Sequence, residues 1–144
     1  MVQPNEQSIR LRVCVVVRQD DQILLVPHYR TDAGPIQWTI PGGAVEFGER
    51  LRDAAKREFE EETGLLVEIE DLFDISEVIP PDRPWHSVTI CFAAKIVGGH
   101  IRPEPNHPYG DKTPRWLSAK DLADQPYHPP KVIEKALRFA QFDN

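Results

Sequence analysis

The chain has 144 residues, of which 40% are hydrophobic and 28% are charged. This length suits one domain with an ordinary core, and this composition excludes a disordered or membrane-embedded protein. The formal net charge is −6, whereas proteins that wrap a long nucleic acid usually carry a basic surplus. We therefore expect a single domain over residues 1–144, in which residues 1–8 are the candidates for flexibility, and no long nucleic acid as partner.

The sequence contains no apolar run long enough to span a bilayer, and its polar beginning, Met1 to Ile9, does not resemble a secretory signal. Cys14 and Cys91 each lie in an apolar, strand-like run and lack the spacing of metal ligands. We interpret them as reduced thiols in the core of a cytoplasmic protein.

Hydrophobic periodicity and turn residues predict strands along most of the chain and two helices longer than two turns. In the first half the predicted elements are strands over Ile9–Arg18 and Gln22–His28, a short strand over Trp38–Ile40 stopped by Pro41-Gly42-Gly43, and a helix over Glu49–Thr63 capped by Gly64. In the second half they are one or two strands over Leu65–Ile79, strands over Val88–Ile96 and Arg115–Leu117, a brief helix begun by Ser118 with Asp121, and a closing helix over Lys131–Phe142. This order predicts a mixed sheet between helices.

The central helix carries carboxylates on the face that should enter the core. The apolar stripe that begins at Leu51 and Ala55 reaches Glu58 and Glu62 by steps of three and four residues. With Glu61, three carboxylates share an arc of about 100° on one turn. Such a cluster is unfavourable unless a cation lies within it, and divalent cations prefer oxygen ligands. The stripe alone does not separate a metal site from a solvated acidic face.

Two further features, a glycine pair before the helix and an arginine within it, add to this pattern. Glycines at 42 and 43 follow a short strand and allow backbone groups to approach a ligand. Arg57 can reach Glu49, two turns earlier, only where the chain around Glu49 folds back against the helix. Such an ion pair would fix the loop to the helix.

Together these residues resemble the signature of the Nudix family, G-x5-E-x7-R-E-U-x-E-E-x-G-U, in which U is a bulky aliphatic or similar residue. Every fixed position is filled, by Gly43, Glu49, Arg57, Glu58, Glu61, Glu62, Gly64 and Leu65, and Phe59 stands at an aliphatic-preferring position. The segments Trp38–Gly43 and Arg115–Leu122 also look like those of the family.

The resemblance implies an α/β fold, a Nudix-type α/β/α sandwich, and an enzyme that uses Mg²⁺, or Mn²⁺ in its place, to hydrolyse a pyrophosphate bond in a small nucleotide. It implies metal ligands at Glu58, Glu61, Glu62 and the Gly43 carbonyl, with Asp111 as an additional carboxylate and Glu104 as the alternative. Arg57 and Glu49 would be the orienting ion pair. Glu58, Glu61 or a loop carboxylate would deprotonate water, and the resemblance leaves that choice open.

The substrate is less defined by the sequence. Arg30, Arg83 and His86 could bind phosphates, and Trp38 or Trp85 could stack on a base, with core packing as the alternative for each ring. The compact length favours nucleoside triphosphates, with ADP-ribose or a nucleotide sugar as the runner-up. A non-catalytic nucleotide-binding module is a further alternative, RNA decapping is disfavoured by the net charge, and a homodimer is left open.

Overall fold

The computed structural model describes residues 7–29, 37–105 and 107–142, with the backbone alone for residues 140–142. The strands are β1 (Ile9–Val16), β2 (Arg18–Gln19), β3 (Gln22–His28), β4 (Gln37–Thr39), β5 (Gly42–Ala44), β6 (Leu65–Val78), β7 (His86–Gly99), β8 (Arg115–Ser118) and β9 (Tyr127–His128). The helices are α1 (Leu51–Thr63) and α2 (Pro130–Phe142).

The strands form two sheets. The first has the order β5-β1-β7-β6, in which β1 runs parallel to β7 and the two outer pairs are antiparallel. The second has the order β2-β3-β4-β9, and β8 pairs with β3. Since sheets with mixed strand directions lie between two helices, the predicted α/β sandwich is confirmed.

Successive side chains of β1 point to opposite faces of the sheet, and so enter the two apolar clusters of the core. Val13 and Val15 face α1 and pack in one cluster with Ala54, Ala55 and Phe59. The residues between them, Cys14 and Val16, face the other way and pack in a second cluster that includes residues 132, 133, 136 and 137 of α2. Burying each large aliphatic side chain stabilises the fold by about 1.5–3 kcal/mol, so β1 joins the two apolar layers.

Helix α1 ends as the sequence predicts. Gly64 has φ 81°, and its N–H donates to the Glu60 carbonyl at 2.8 Å. The Arg102 guanidinium donates to the carbonyls of Glu60 at 3.0 Å and Glu61 at 3.1 Å. A cation at the C-terminal end complements the helix dipole, so these contacts fix the last turn, which carries Glu61 and Glu62.

The two cysteines correct the sequence analysis. Cys14 lies opposite Cys91 in the parallel β1–β7 pair, and the two form a disulfide with a Cα–Cα distance of 4.7 Å. The prediction of reduced thiols is wrong, because strand pairing places both side chains in one row and on one face of the sheet. The cysteines are 77 residues apart, so this register cannot be read from either local run.

Several predicted elements differ from the observed ones. Helix α1 begins at Leu51 rather than at Glu49, and the strand predicted over Ile9–Arg18 is divided into β1 and β2, which lie in different sheets. Gly42 and Gly43, expected to stop a strand, begin β5, because their backbone pairs with Cys14 and Val13 of β1. Ser118 and Asp121 make the reciprocal hydrogen bonds of a capping box, yet residues 119–124 form turns. One i→i−4 bond there is followed by two i→i−3 bonds, and Pro126 cannot continue a helix. Neither described helix is long and apolar enough to cross a membrane.

Candidate active site

An ion pair fastens the loop after β5 to α1. Arg57 donates to both carboxylate oxygens of Glu49, from Nε at 2.7 Å and from Nη2 at 2.9 Å. Its Nη2 also donates to the Ala44 carbonyl at 3.2 Å, and the Glu46 N–H donates to Glu49 at 3.1 Å. The hydrogen bonds from Arg57 and Glu46 lower the pKa of Glu49 to about 2. The chain therefore folds back as the expected pair requires.

The same guanidinium reaches two of the helix carboxylates. Arg57 Nη1 lies 2.9 Å from Glu58 Oε1 and 3.4 Å from both carboxylate oxygens of Glu61. The hydrogen bond to Glu49, and then those to Glu58 and Glu61, raise the pKa of Arg57. One side chain thus neutralises part of the acidic turn.

Glu58 lies directly against the backbone of the glycine loop. A Cβ atom at Gly43 would collide with the carboxylate of Glu58, so only glycine allows this approach. Burial raises the pKa of Glu58, although Arg57 acts in the opposite direction. The absence of a side chain at Gly43 therefore lets a helix carboxylate lie against the loop backbone.

The Glu62 side chain lies on the neighbouring side of the helix, in a more buried environment than that of Glu58. The Gly42 N–H lies 3.4 Å from its Oε1. Burial raises the pKa of Glu62 to about 8, the charge of Lys112 opposes this effect, and the charge of Glu104 adds to it. Lys112 is itself 3.2 Å from Glu104. A carboxylate in such surroundings gains from a further positive charge.

These oxygen donors suit a hard divalent cation. Glu58, Glu61 and Glu62 share one turn of α1, and Gly43 lies beside Glu58. Within residues 7–29, 37–105 and 107–142, no three acidic, histidine or cysteine side chains yet surround a common point. Two of the three glutamates, Glu58 and Glu61, instead contact Arg57 Nη1.

A cleft of about 580 Å³ extends from Glu62 across one face of the first sheet. Gly42, Glu62, Glu104 and Lys112 line one end. Arg12 and Thr89, which are partners in the β1–β7 register, form part of its floor, and Arg83 and Trp85 line the opposite end. The cleft thus joins the acidic end of α1 to the proline-rich loop before β7.

The structure brings together some of the predicted substrate residues. Arg83 and Trp85 line the cleft, whereas His86 contacts Glu77 at 2.9 Å, and Trp38 packs against the second core cluster. Arg30 and residues 1–6 lie outside the described residues. The Trp38 ring therefore follows the core-packing alternative stated for it.

The two candidate loop carboxylates, Glu104 and Asp111, lie in different environments. Glu104 lines the cleft near Glu62, while Asp111 Oδ1 accepts hydrogen bonds from the N–H and hydroxyl of Thr113. The Asp111 carbonyl accepts a hydrogen bond from the Tyr29 hydroxyl. The alternative residue, Glu104, is thus the one that lies beside the acidic turn.

Sequence reasoning did not single out Arg12 and Thr89 as cleft residues. Their signal is alternation, because Arg12 lies between the exposed Leu11 and the buried Val13 on the face of β1 that also holds Cys14. Alternation alone does not show that this face lines a cleft, because that depends on the pairing of β1 with β7. Arg12 also lies close enough to Glu58 for its charge to lower the pKa of that carboxyl.

Comparison with known proteins agrees with this geometry. The NUDIX domain family matches residues 8–136. An ADP-ribose pyrophosphatase from Methanocaldococcus jannaschii is 27% identical over 128 residues, which is 86% of this chain and 70% of that protein. An NAD-capped RNA hydrolase NudC from Photobacterium profundum is 35% identical over 105 residues, but this match spans 36% of its length and 69% of this chain.

A solved structure supports the same assignment. The MutT NUDIX hydrolase from Burkholderia pseudomallei superimposes with a TM-score of 0.74 and 28% identity, over 91% of this chain and 97% of that one. The glycine loop, the acidic helix fastened to it and the adjacent cleft form the site of a hydrolase. The chain belongs to the Nudix family and is a pyrophosphohydrolase of that family.

Proposed function

We propose that this enzyme hydrolyses the pyrophosphate bond of a nucleoside diphosphate joined to a second moiety, as in ADP-ribose or a nucleotide sugar. The observation that carries the proposal is the two-ended cleft, which continues from Glu62 past Arg12 to Arg83 and Trp85. A compound with groups on both sides of its pyrophosphate fits such a shape. The relative named ADP-ribose pyrophosphatase matches along 86% of this chain and supports the same choice.

Nucleoside triphosphates, which the compact length favours, are the second candidate. Arg12 and Lys112 both lie towards the carboxylate end of the cleft. Two cations there could offset the charge of additional phosphates.

The proposed metal is Mg²⁺, for which Mn²⁺ can substitute, with Glu58, Glu61, Glu62 and the Gly43 carbonyl as ligands. Bound there, the ion offsets phosphate charge and lowers the pKa of a coordinated water. The Arg57–Glu49 pair holds the glycine loop against α1, so that the carbonyl and the carboxylates keep one arrangement.

Glu104 is the proposed general base. It lies in the cleft beside Glu62, and Lys112 holds its carboxylate at 3.2 Å. A positioned carboxylate accepts the proton of the attacking water within hydrogen-bond reach. Asp111, the residue first expected for this place, accepts hydrogen bonds from Thr113 instead.

The proposed partner is a small nucleotide, and the cytoplasmic location stays a prediction. The Cys14–Cys91 disulfide removes one support for that location, because the cytosol keeps most thiols reduced.

The test is a panel of ADP-ribose, UDP-glucose, deoxynucleoside triphosphates and NAD-capped RNA, each incubated with Mg²⁺ with and without chelator. We expect AMP and ribose 5-phosphate from ADP-ribose, or the two monophosphates from UDP-glucose, and no turnover with chelator. Faster release of pyrophosphate from triphosphates would favour the second candidate. Preference for the capped RNA would contradict both, and Glu61→Gln should lower turnover of the true substrate by at least about 100-fold.

A further inference from the structure

At the end of the cleft farthest from Glu62, one aromatic ring contacts two cations. The Arg10 guanidinium lies 4.0 Å from the centre of the Trp85 ring, and the Arg83 guanidinium lies 5.5 Å from it. Arg83 and Trp85 line the cleft. Because guanidinium groups already contact this ring, its main contribution is to hold two positive charges at the wall.

Arg10 also has an unsatisfied donor. Its Nη1 is buried and has no hydrogen-bond partner within the described part of the chain. A guanidinium nitrogen that loses water without gaining an acceptor is unfavourable. The described residues therefore leave this donor without an acceptor, and the Trp85 ring is the contact that the guanidinium makes.

The surrounding rows of the sheet contain no compensating acid. Arg10 pairs with Ser87, and Ser87 pairs with Val78 of β6. The next row holds Arg12, Thr89 and Ser76. Glu77, which lies between Ser76 and Val78, points to the opposite face and contacts His86. In a chain of net charge −6, these two rows carry two arginines and no carboxylate.

The guanidinium groups of Arg10 and Arg83, which both contact Trp85, lie away from the acidic turn. Gly42, whose N–H points to Glu62, pairs with Cys14. Arg10 is four residues from Cys14, or about 13 Å along the strand. A pyrophosphate group is shorter than this distance, so a substrate with its pyrophosphate at Glu62 would present a different group to Arg10 and Arg83.

We propose that this end of the cleft is an anion subsite, formed by Arg83 and Arg10 on Trp85, which selects substrates that carry a second anionic group away from the scissile pyrophosphate. The group is a phosphate monoester or a carboxylate on the nucleoside or on the linked moiety. Arg83 contacts it from the cleft wall, and Arg10 supplies the second charge and holds the ring. This inference rests on the proposed function and names the substrate class more narrowly.

Two matched pairs of compounds test it: ADP-ribose against ADP-ribose 2′-phosphate, and UDP-glucose against UDP-glucuronic acid. In each pair the members differ by one anionic group. We expect kcat/KM to favour the anionic member of at least one pair by about 10-fold or more, mainly through KM, since a charged hydrogen bond has about this effect. The pair that shows the preference identifies phosphate or carboxylate. Equal kcat/KM values in both pairs would overturn the proposal.

The variants locate the effect. Arg83→Ala and Arg10→Ala should bring the preference close to one, and Arg83→Lys should retain part of it. Arg115→Ala is the matched control, because Arg115 is an exposed arginine of β8 outside the cleft, and its preference should equal that of the wild type. If the preference for the anionic compound remains in both Arg83→Ala and Arg10→Ala, or also disappears in Arg115→Ala, the subsite proposal is wrong.

This test is separable from that of the proposed function. Turnover of ADP-ribose or UDP-glucose supports the proposed function whatever the preference. If neither pair is hydrolysed, the proposed function fails, and the same pairs are titrated with chelator present while tryptophan fluorescence is recorded. Tighter binding of an anionic member that is lost in Arg83→Ala supports the subsite alone, and equal binding of both members overturns it.

Discussion

Arg57 is the most connected side chain of the site. It contacts Glu49, Glu58, Glu61 and the Ala44 carbonyl, and so joins the glycine loop to the acidic turn. These contacts use the planar fork of the guanidinium, with donors that point in several fixed directions. A lysine keeps the charge but loses that geometry.

Arg57→Lys should therefore lower kcat by about 100-fold, because misplaced catalytic groups have effects of this size, while the protein stays folded. The matched control is Arg52→Lys on the same helix, where the guanidinium donates to the Glu70 carbonyl. Steady-state kinetics with a saturating metal concentration would check the result. Equal losses in both variants would point to helix stability rather than to the site.

Glu62 predicts a pH-dependent stability of the metal-free protein. Burial raises its pKa from 4.5 to about 8 in the folded state. The folded protein therefore binds the proton more tightly than the unfolded chain does, and stability falls as pH rises from about 4.5 to 8. Glu62→Gln removes this loss, so the variant should exceed the wild type by about 1–3 kcal/mol at pH 9.

Urea unfolding with chelator at pH 5, 7 and 9 would measure that difference. Since bound metal requires the deprotonated ligand, Mg²⁺ should stabilise the wild type more at pH 9 than at pH 6. A constant difference between variant and wild type across this range would show that Glu62 does not titrate there.

A side chain at position 43 should disturb the site by a steric clash. In Gly43→Ala the new methyl group would meet the Glu58 carboxylate, so Glu58 must move away from the loop. We expect turnover to fall by at least about 10-fold, with a weaker dependence on Mg²⁺. Gly98→Ala is the control, because its Cβ would meet Leu66 Cδ1 at 3.4 Å, an ordinary contact. Normal kinetics in Gly43→Ala would exclude a close role for the loop backbone.

At the level of elements, the end of α1 depends on a residue in the left-handed region. Gly64 has φ 81°, and a Cβ there would collide with the His100 carbonyl. Gly48 has φ 85° and open space around it. Comparing the two separates the conformational cost from the steric one.

Gly64→Ala should lower the free energy of unfolding by about 2–3 kcal/mol, and Gly48→Ala by about 1 kcal/mol. Alanine is strained by the positive φ at both positions, but only at Gly64 does its methyl group also clash with the neighbouring backbone. Urea denaturation monitored by circular dichroism would measure both. A larger effect at Gly48 would mean that the loop, rather than the helix end, limits stability.

Elements with local signals were predictable from the sequence. The apolar spacing predicts α1 and Gly64 predicts its end, although the helix begins at Leu51 rather than at Glu49. The polar turn at Asp20 and Asp21 joins β2 to β3. Strands β5 and β9 carry no such signal, since three and two residues form them. They exist because β1 and β4 offer unpaired backbone groups next to them.

At the scale of the molecule, the Cys14–Cys91 disulfide joins the two central strands of the first sheet. A crosslink between residues 77 positions apart reduces the entropy of the unfolded chain, and bonds of this kind contribute about 2–4 kcal/mol. Reductant should lower the urea midpoint accordingly. The double variant Cys14→Ala/Cys91→Ala should show no response to reductant. A wild-type midpoint that reductant does not change would show that the thiols are not joined in solution.

The cleft could not be predicted as a whole, because its residues come from segments far apart in the sequence. The acidic turn and its loop are contiguous in sequence, so Gly43 and Glu58 were identified from local spacing. Arg12, Thr89 and Glu104 meet them only through the β1–β7 register and the loop after Gly99. Long-range pairing, which no local pattern encodes, decides which polar residues share the cleft.

The parallel pairing of β1 with β7 also has a consequence for biosynthesis. During translation the segment from Gly43 to Leu65 leaves the ribosome well before β7, which must close a loop of 77 residues against β1. Contacts so distant in sequence form late and slowly. For that interval a nascent chain would expose its glutamates without the surface that accepts a substrate. A truncated product ending before His86 would accordingly bind cations weakly and turn over nothing.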